Sequence, residues 1–395
     1  MNKNTEDKNR VISNVGKDSN PTCSDDDWLD KVEVARDTGD IYPDNDSTNS
    51  EKKSGGTYEI KTETPRKEQR LFSFLFREYN EDCVRSDMID VIIPLVPLVV
   101  WGIYLFGLRV LTLALISVIS CVVLDVIASL ILKDKEAASD LSSVVIGLMT
   151  VLCLPPTAPL WLPAAVAIIS VVFVKHLAGR LTKIRLHPAA AAVSVIYVVF
   201  PAIMTALCNT GTKLPALTVT AGSFEKLSST TLGFLLSGSL PKQSVGSLFV
   251  GLRSGMIGEM SALLILAGGV YLCLRKIINP RLPAAFVLTV AVLSYIFPRL
   301  AIASDTIALQ YAAYHILSGN LLFCAFFLSF FPGSAPVSPR AQLAAGIIGG
   351  AATFLIRYYV GAGADALIAV LIINLISRPL DLLLKPSVFG GRPKH

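Results

Sequence analysis

Ten apolar runs follow one another between residues 91 and 378, near 91–108, 111–132, 142–155, 160–175, 188–207, 260–274, 283–298, 311–331, 341–356 and 363–378. Many approach the ~20 residues that a helix needs to cross a hydrocarbon core, and some are shorter or broken. With 52% hydrophobic and 16% charged residues and a mean hydropathy of +0.58, the chain is too apolar for an ordinary soluble domain. In lipid the backbone must satisfy its own hydrogen bonds, and a helix does this within one segment. The sequence therefore predicts an all-α integral membrane protein with about ten transmembrane helices.

Charge divides the chain in a second way. Residues 1–70 hold 16 of the 30 acidic and 12 of the 35 basic side chains, with almost no apolar periodicity. Residues 1–85 are thus expected to form a disordered polar cytoplasmic tail. No apolar stretch follows a basic start there, so the tail is not a secretory signal. The remaining divisions are 86–207 with five runs, 208–259 polar and glycine-rich, 260–380 with five more runs, and a C-terminal tail over 381–395. A long polar interruption at the midpoint of a membrane protein is where function is sought.

With the N-terminus placed in the cytoplasm, sixteen Lys and Arg residues after residue 70 fall inside and seven outside. That satisfies the positive-inside rule with both termini cytoplasmic, and it puts the 208–259 loop outside. Pro155-Pro156-Thr157-Ala158-Pro159 recurs as Pro332-Gly333-Ser334-Ala335-Pro336, and the offset of 177 also brings Arg180 onto Arg357. Five runs per half is an odd number, so the second half enters the membrane upside down, an inverted repeat with Pro-rich broken helices. Two readings of the proline turns stand: tight reversals between spans, or helix ends that line a site within the protein.

The seven cysteines include no closely spaced pair, which argues against an iron-sulfur or zinc site made by this chain alone. Asp125 lies inside the second run, and Arg357 and Asp365 flank the tenth. Ionisable groups at membrane depth are costly, so each is a candidate for function. Asp125 either joins an ion path, pairs with a neighbouring protein of a complex or lies near the cytoplasmic end.

The order of landmarks resembles a known family. Leu154-Pro155-Pro156, Trp161, Lys175-His176, His187-Pro188-Ala189 and Phe200-Pro201 are followed by Gly258-Glu259-Met260-Ser261-Ala262, Arg281-Leu282-Pro283 and His315-Ile316-Leu317-Ser318-Gly319. Arg357-Tyr358, Asn374, Arg378-Pro379-Leu380-Asp381 and Pro386-Ser387-Val388-Phe389-Gly390 complete the series. It is similar to the RnfD/NqrB family: RnfD of the Rnf ion-translocating electron-transport complex and its homologue NqrB of the sodium-pumping NADH:quinone reductase. The resemblance spans about residues 75 to 394.

In that family the loop after the fifth helix holds a motif Asp-x-x-Ser/Thr-Gly-Ala-Thr, whose last Thr carries FMN through a phosphoester. Glu225-Lys226-Leu227-Ser228-Ser229-Thr230-Thr231 takes its place, which implies Thr231 as the FMN-bearing residue, with Ser228, Ser229, Thr230, Gly258 and Glu259 around the cofactor. The family also has Asn-Pro-Phe-Asn-Pro-Ala where this chain reads Ile184-Arg185-Leu186-His187-Pro188-Ala189. That departure calls a second, non-covalent riboflavin into question. The resemblance further implies the bacterial cytoplasmic membrane, other Rnf-type membrane subunits, an FMN-bearing partner subunit, an FMN transferase, and no nucleic acid.

Two classes of function compete. One is a flavin-carrying subunit that passes electrons between flavin and iron-sulfur carriers, with Na+ or H+ translocation coupled to the transfer. The other is a channel or secondary transporter sharing the inverted-repeat fold without a flavin. The 208–259 loop discriminates between them, since a transporter has no need of a flavin acceptor.

Overall fold

Helix dominates a computed structural model that describes residues 81–384 apart from 133–140, 182–184, 209–210, 218–224, 227–229, 242, 252–253, 300–304, 331–333 and 362. Val84–His395 groups as one unit by its contacts, separately from Met1–Cys83. The expected disorder of the N-terminal tail, Ser228, Ser229, Pro332-Gly333 and the Pro386 to Gly390 landmark fall outside the described residues.

The first half contains α1 (Glu81–Phe106), α2 (Leu108–Leu132), α3 (Ser142–Leu152), α4 (Trp161–Ala178) and α5 (Pro188–Val199). Gly107, at φ 84°, makes the turn from α1 to α2, a backbone conformation that costs glycine nothing. The second part of α4, Ile168–Ala178, takes π-helical hydrogen bonding. His187 caps α5 by accepting from the Ala190 amide at Nδ1 (3.3 Å), and Pro188 follows where a missing N–H is harmless.

A short helix, α6 (Pro201–Met204), leads into the central segment. There β1 (Ala206–Leu207) pairs antiparallel with β2 (Glu225–Lys226), followed by α7 (Thr231–Leu236) and α8 (Val245–Val250). The expected exposed loop is thus partly folded onto the protein.

The second half holds α9 (Ala262–Leu274), α10 (Arg281–Ile296), α11 (Asp305–Leu317), α12 (Leu321–Leu328), α13 (Pro339–Tyr359) and α14 (Asp365–Leu383). The axis bends by 61° between α11 and α12. Gly346 and Gly350 of α13 lie on the α10 backbone, where an added Cβ would come within 2.6 Å of Leu282 O and 2.7 Å of Phe286 O. Small residues at such contacts let helix backbones approach, which is how membrane helices gain packing energy.

Among the described residues, five helices can cross a membrane by length and composition, namely α1 from Ser86, α2, α4, α13 and α14, or six if the bent α11–α12 pair is one span. Shorter apolar helices are α3, α5, α9 and α10. These are too short to reach across by themselves at 1.5 Å rise per residue.

Where they stop, irregular backbone is buried in protein. Residues Cys153 to Ala158, between α3 and α4, are buried without being helical. They meet two other irregular segments: Ile257 N donates to Leu154 O (3.1 Å), and Asn320 Nδ2 donates to Cys153 Sγ (3.6 Å). An added Cβ on Gly258 would lie 2.7 Å from Leu152 Cβ, so only glycine fits against the end of α3.

A polar cleft beside Thr231

A small cleft beside the start of α7 is lined among others by Tyr197, Thr230, Thr231, Met256, Glu259, Ser318 and Gly319. Thr230 caps α7 by accepting from Gly233 N (3.2 Å). Thr231 is the first helical residue, and its hydroxyl donates to Gln243 Oε1 (2.9 Å), which leaves oxygen lone pairs unused. Although the sequence suggests an exposed loop, Thr231 is only 5% exposed.

Glu259 brings a carboxylate to the same cleft. Its Oε1 accepts from Met256 N (3.0 Å), bending the 254–259 segment around it. Ser318 Oγ is buried without a partner among the described residues, and the Tyr197 hydroxyl faces the Gly363 backbone without closing a hydrogen bond of good geometry. Buried polar atoms left unpaired cost ~1–3 kcal/mol each, and these two line the same cleft. The expected site residues Thr230, Thr231, Gly258 and Glu259 gather in or beside this cleft. Sequence reasoning misses Tyr197 and Gln243, for which the chain offers no local signal, and meets Ser318 only as part of the 315–319 landmark.

Beneath Gly319 lies Arg357. Its Nη1 donates to His315 O (2.7 Å) and its Nη2 reaches Ser318 O (3.5 Å), while Nε pairs with Asp365. Both charged residues are almost wholly buried. Arg357 thereby satisfies carbonyls left over where α11 ends. Gly319, at φ 69°, turns the chain over it. Arg109 does the corresponding work in the first half, donating from Nη2 to Ala158 O (2.7 Å) at the proline turn. At that turn Thr157 Oγ1 also donates to Ala206 O.

A second polar cluster sits within the first half. Lys175 Nζ donates to Asp125 Oδ2 (2.9 Å), Ser142 Oγ (2.7 Å) and Ser143 Oγ (3.2 Å). His176 Nε2 lies 2.7 Å from Asp125 Oδ1. Asp125 is therefore paired within its own chain, which is not among the roles expected of it. The Arg378 to Asp381 landmark also gains a local reason: Asp381 accepts from Val337 N (3.0 Å) and Ser338 N (2.9 Å), anchoring the start of α13.

Multiple apolar helices, two buried arginines and a polar cleft beside helix ends describe a polytopic membrane protein. The profile of the NQR2, RnfD, RnfE family matches residues 78–390. The chain belongs to that family. It is 31% identical over 307 residues to the D subunit of the Na(+)-translocating ferredoxin:NAD(+) oxidoreductase complex of Acetobacterium woodii, covering 77% of this chain and 90% of the relative. With the D subunit of the proton-translocating ferredoxin:NAD(+) oxidoreductase complex of Clostridium ljungdahlii it shares 28% identity over 321 residues, 79% of this chain and 93% of that one. The D subunit of the ion-translocating oxidoreductase complex of Halorhodospira halophila is 29% identical over 332 residues, 77% of this chain and 90% of the relative.

Proposed function

We propose that the chain is the flavin-carrying membrane subunit of an Rnf-type complex, with FMN joined to Thr231 through a phosphoester. It passes electrons between flavin and iron-sulfur carriers while the complex moves Na+ or H+. The observation that carries this reading is the position of the Thr231 hydroxyl on a cleft that it shares with Glu259, Tyr197 and the unpaired Ser318 hydroxyl. The bound flavin supplies the redox chemistry. Thr231 holds it, Glu259, Tyr197 and Ser318 orient it, and the surrounding apolar helices limit access of water.

In this reading the five long helices, the bent pair and the four short apolar helices make ten spans in two inverted five-helix halves, with both termini in the cytoplasm of a bacterial cell. The partners are the other membrane subunits, an FMN-bearing subunit and an FMN transferase. His187 is fully buried and its Nδ1 is engaged in capping α5, which supports a chain without a second, riboflavin cofactor on that side. The channel or transporter reading gains no observation of its own.

The test is in-gel flavin fluorescence of protein made in a host with an active FMN transferase. Fluorescence in the wild type that vanishes in Thr231→Ala supports the proposal. A dark wild-type band beside a fluorescent control substrate rejects it.

A further inference from the structure

The Thr231 hydroxyl donates to Gln243 Oε1 at 2.9 Å, although Thr231 opens α7 and Gln243 stands just before α8. Thr231 is buried and Gln243 is exposed, so the hydroxyl lies at the boundary between the cleft and its surroundings. Among the described residues, none accepts from Gln243 Nε2.

The backbone of Gln243 is held from two sides. Tyr314 of α11 donates its hydroxyl to Gln243 O (2.7 Å), and Gln310, one turn earlier, donates from Nε2 to the Tyr314 oxygen (3.3 Å). On the other side Ser244 caps α8 by accepting from Ser247 N (3.2 Å). These contacts tie the segment to α11 without any help from the Gln243 side chain. What the side chain adds is an amide with an acceptor on one branch and a donor on the other. It can turn about its own torsions while its backbone stays in place.

That duality matters because flavin attachment reverses what Thr231 offers. In transfer from a flavin adenine dinucleotide, a bond forms between Thr231 Oγ1 and the phosphorus of the FMN half, and the P–O–P bridge breaks. AMP leaves with the bridging oxygen, and the Oγ1 proton goes to a base of the transferase. An amide carbonyl is too weak a base to take that proton, so Gln243 Oε1 orients the O–H without removing it. The resulting ester oxygen has no hydrogen to donate, and the phosphate beside it carries a negative charge and acceptors only. An Oε1 that stayed in place would set lone pair against lone pair.

We infer that Gln243 is the positioning residue for the flavin phosphate: its Oε1 holds the Thr231 hydroxyl before attachment, and afterwards the amide turns over and donates from Nε2 to the phosphate. The inference rests on the flavin reading of the cleft. A hydrogen bond to a charged acceptor is shorter and stronger than the neutral one it replaces, so the reversal favours the loaded form.

The test makes the full chain in a host with an FMN transferase and in one without, and compares the melting temperatures of loaded and unloaded protein. Gln243→Glu keeps an acceptor for the hydroxyl but sets a second negative charge against the phosphate, whereas Gln243→Lys has donors only. Relative to its effect on the wild type, loading is expected to lower the melting temperature of Gln243→Glu by ~2–4 °C and to raise that of Gln243→Lys. A purely structural role moves both forms of each variant equally, and that result overturns the inference. Solid-state NMR of the wild type supplies a second readout, with the side-chain nitrogens of its four glutamines isotopically labelled and the protein in phosphorus-free detergent. One of those nitrogens is expected to couple through space to the flavin phosphorus. Covalent flavin without that coupling rejects the role of Gln243 alone, even if neither variant folds. A wild type without covalent flavin rejects the flavin reading and the role of Gln243 together.

Discussion

The Asn320 amide meets Cys153 Sγ at 3.6 Å, so the break between α11 and α12 touches the end of α3 across the two halves of the chain. Both sides of this contact are helix ends buried in protein. The cleft beside Thr231 lies near the ends of α5 and α11, at Tyr197 and Ser318-Gly319, and the central segment completes it with Leu207, Thr230, Thr231, Met256 and Glu259. Its walls therefore depend on the groups that satisfy those ends.

Arg357 is the first such group. Replacing it with Met leaves Asp365 charged, buried and unpaired, at an expected cost of ~3–5 kcal/mol. The double variant with Asp365→Leu should regain most of that loss. Thermal unfolding of detergent-solubilised protein, read as a double-mutant cycle, measures the coupling; additive losses from the two changes contradict it.

Gly319 has no room to grow. A Cβ there would stand 3.0 Å from Arg357 Nη2 and 3.4 Å from Leu232 Cδ2, in a backbone with positive φ. Gly319→Val is expected to cost ~1–3 kcal/mol and to reduce flavin attachment at Thr231 by narrowing the cleft. Full loading with unchanged stability counts against the close approach.

At Thr231 the hydroxyl matters more than the shape. Thr231→Ser keeps the acceptor oxygen and should retain covalent flavin, whereas Thr231→Val keeps the volume and should lose it. Equal fluorescence from the two variants would place the attachment elsewhere.

Asp381 accepts from the amides at the start of α13. Asp381→Ala should cost ~0.5–2 kcal/mol, the range for a lost helix cap, with Asp381→Asn retaining part of it. The melting temperature checks both.

Much of the helical layout is legible in the chain. Each of the ten apolar runs overlaps a helix, because hydropathy reports directly on what a span requires. The lengths of α3 and α5 are less legible: Ser142–Leu152 and Pro188–Val199 have 11 and 12 residues, and their limits are set by tertiary contacts to Gly258 and by the His187 cap. Thr231 is reachable by resemblance, yet its burial is not, since Gln243 and Tyr197 reach it only through folding. Arg357 and Asp365 stand out as charges in apolar surroundings. Asp125 does too, but its partners Lys175 and His176 lie 50 and 51 positions away, and read locally they look like anchors at a membrane surface.

The guanidinium of Arg357 draws on α11, α13 and α14 at once, through His315 O, its own helix and Asp365. None of these helices can shelter that charge alone. During biogenesis the segment bearing Arg357 is therefore poorly suited to rest by itself in lipid, and the second half should lock together in one late, cooperative step. A chain cut before Asp365 should be cleared by membrane quality control and should not persist as a partial bundle.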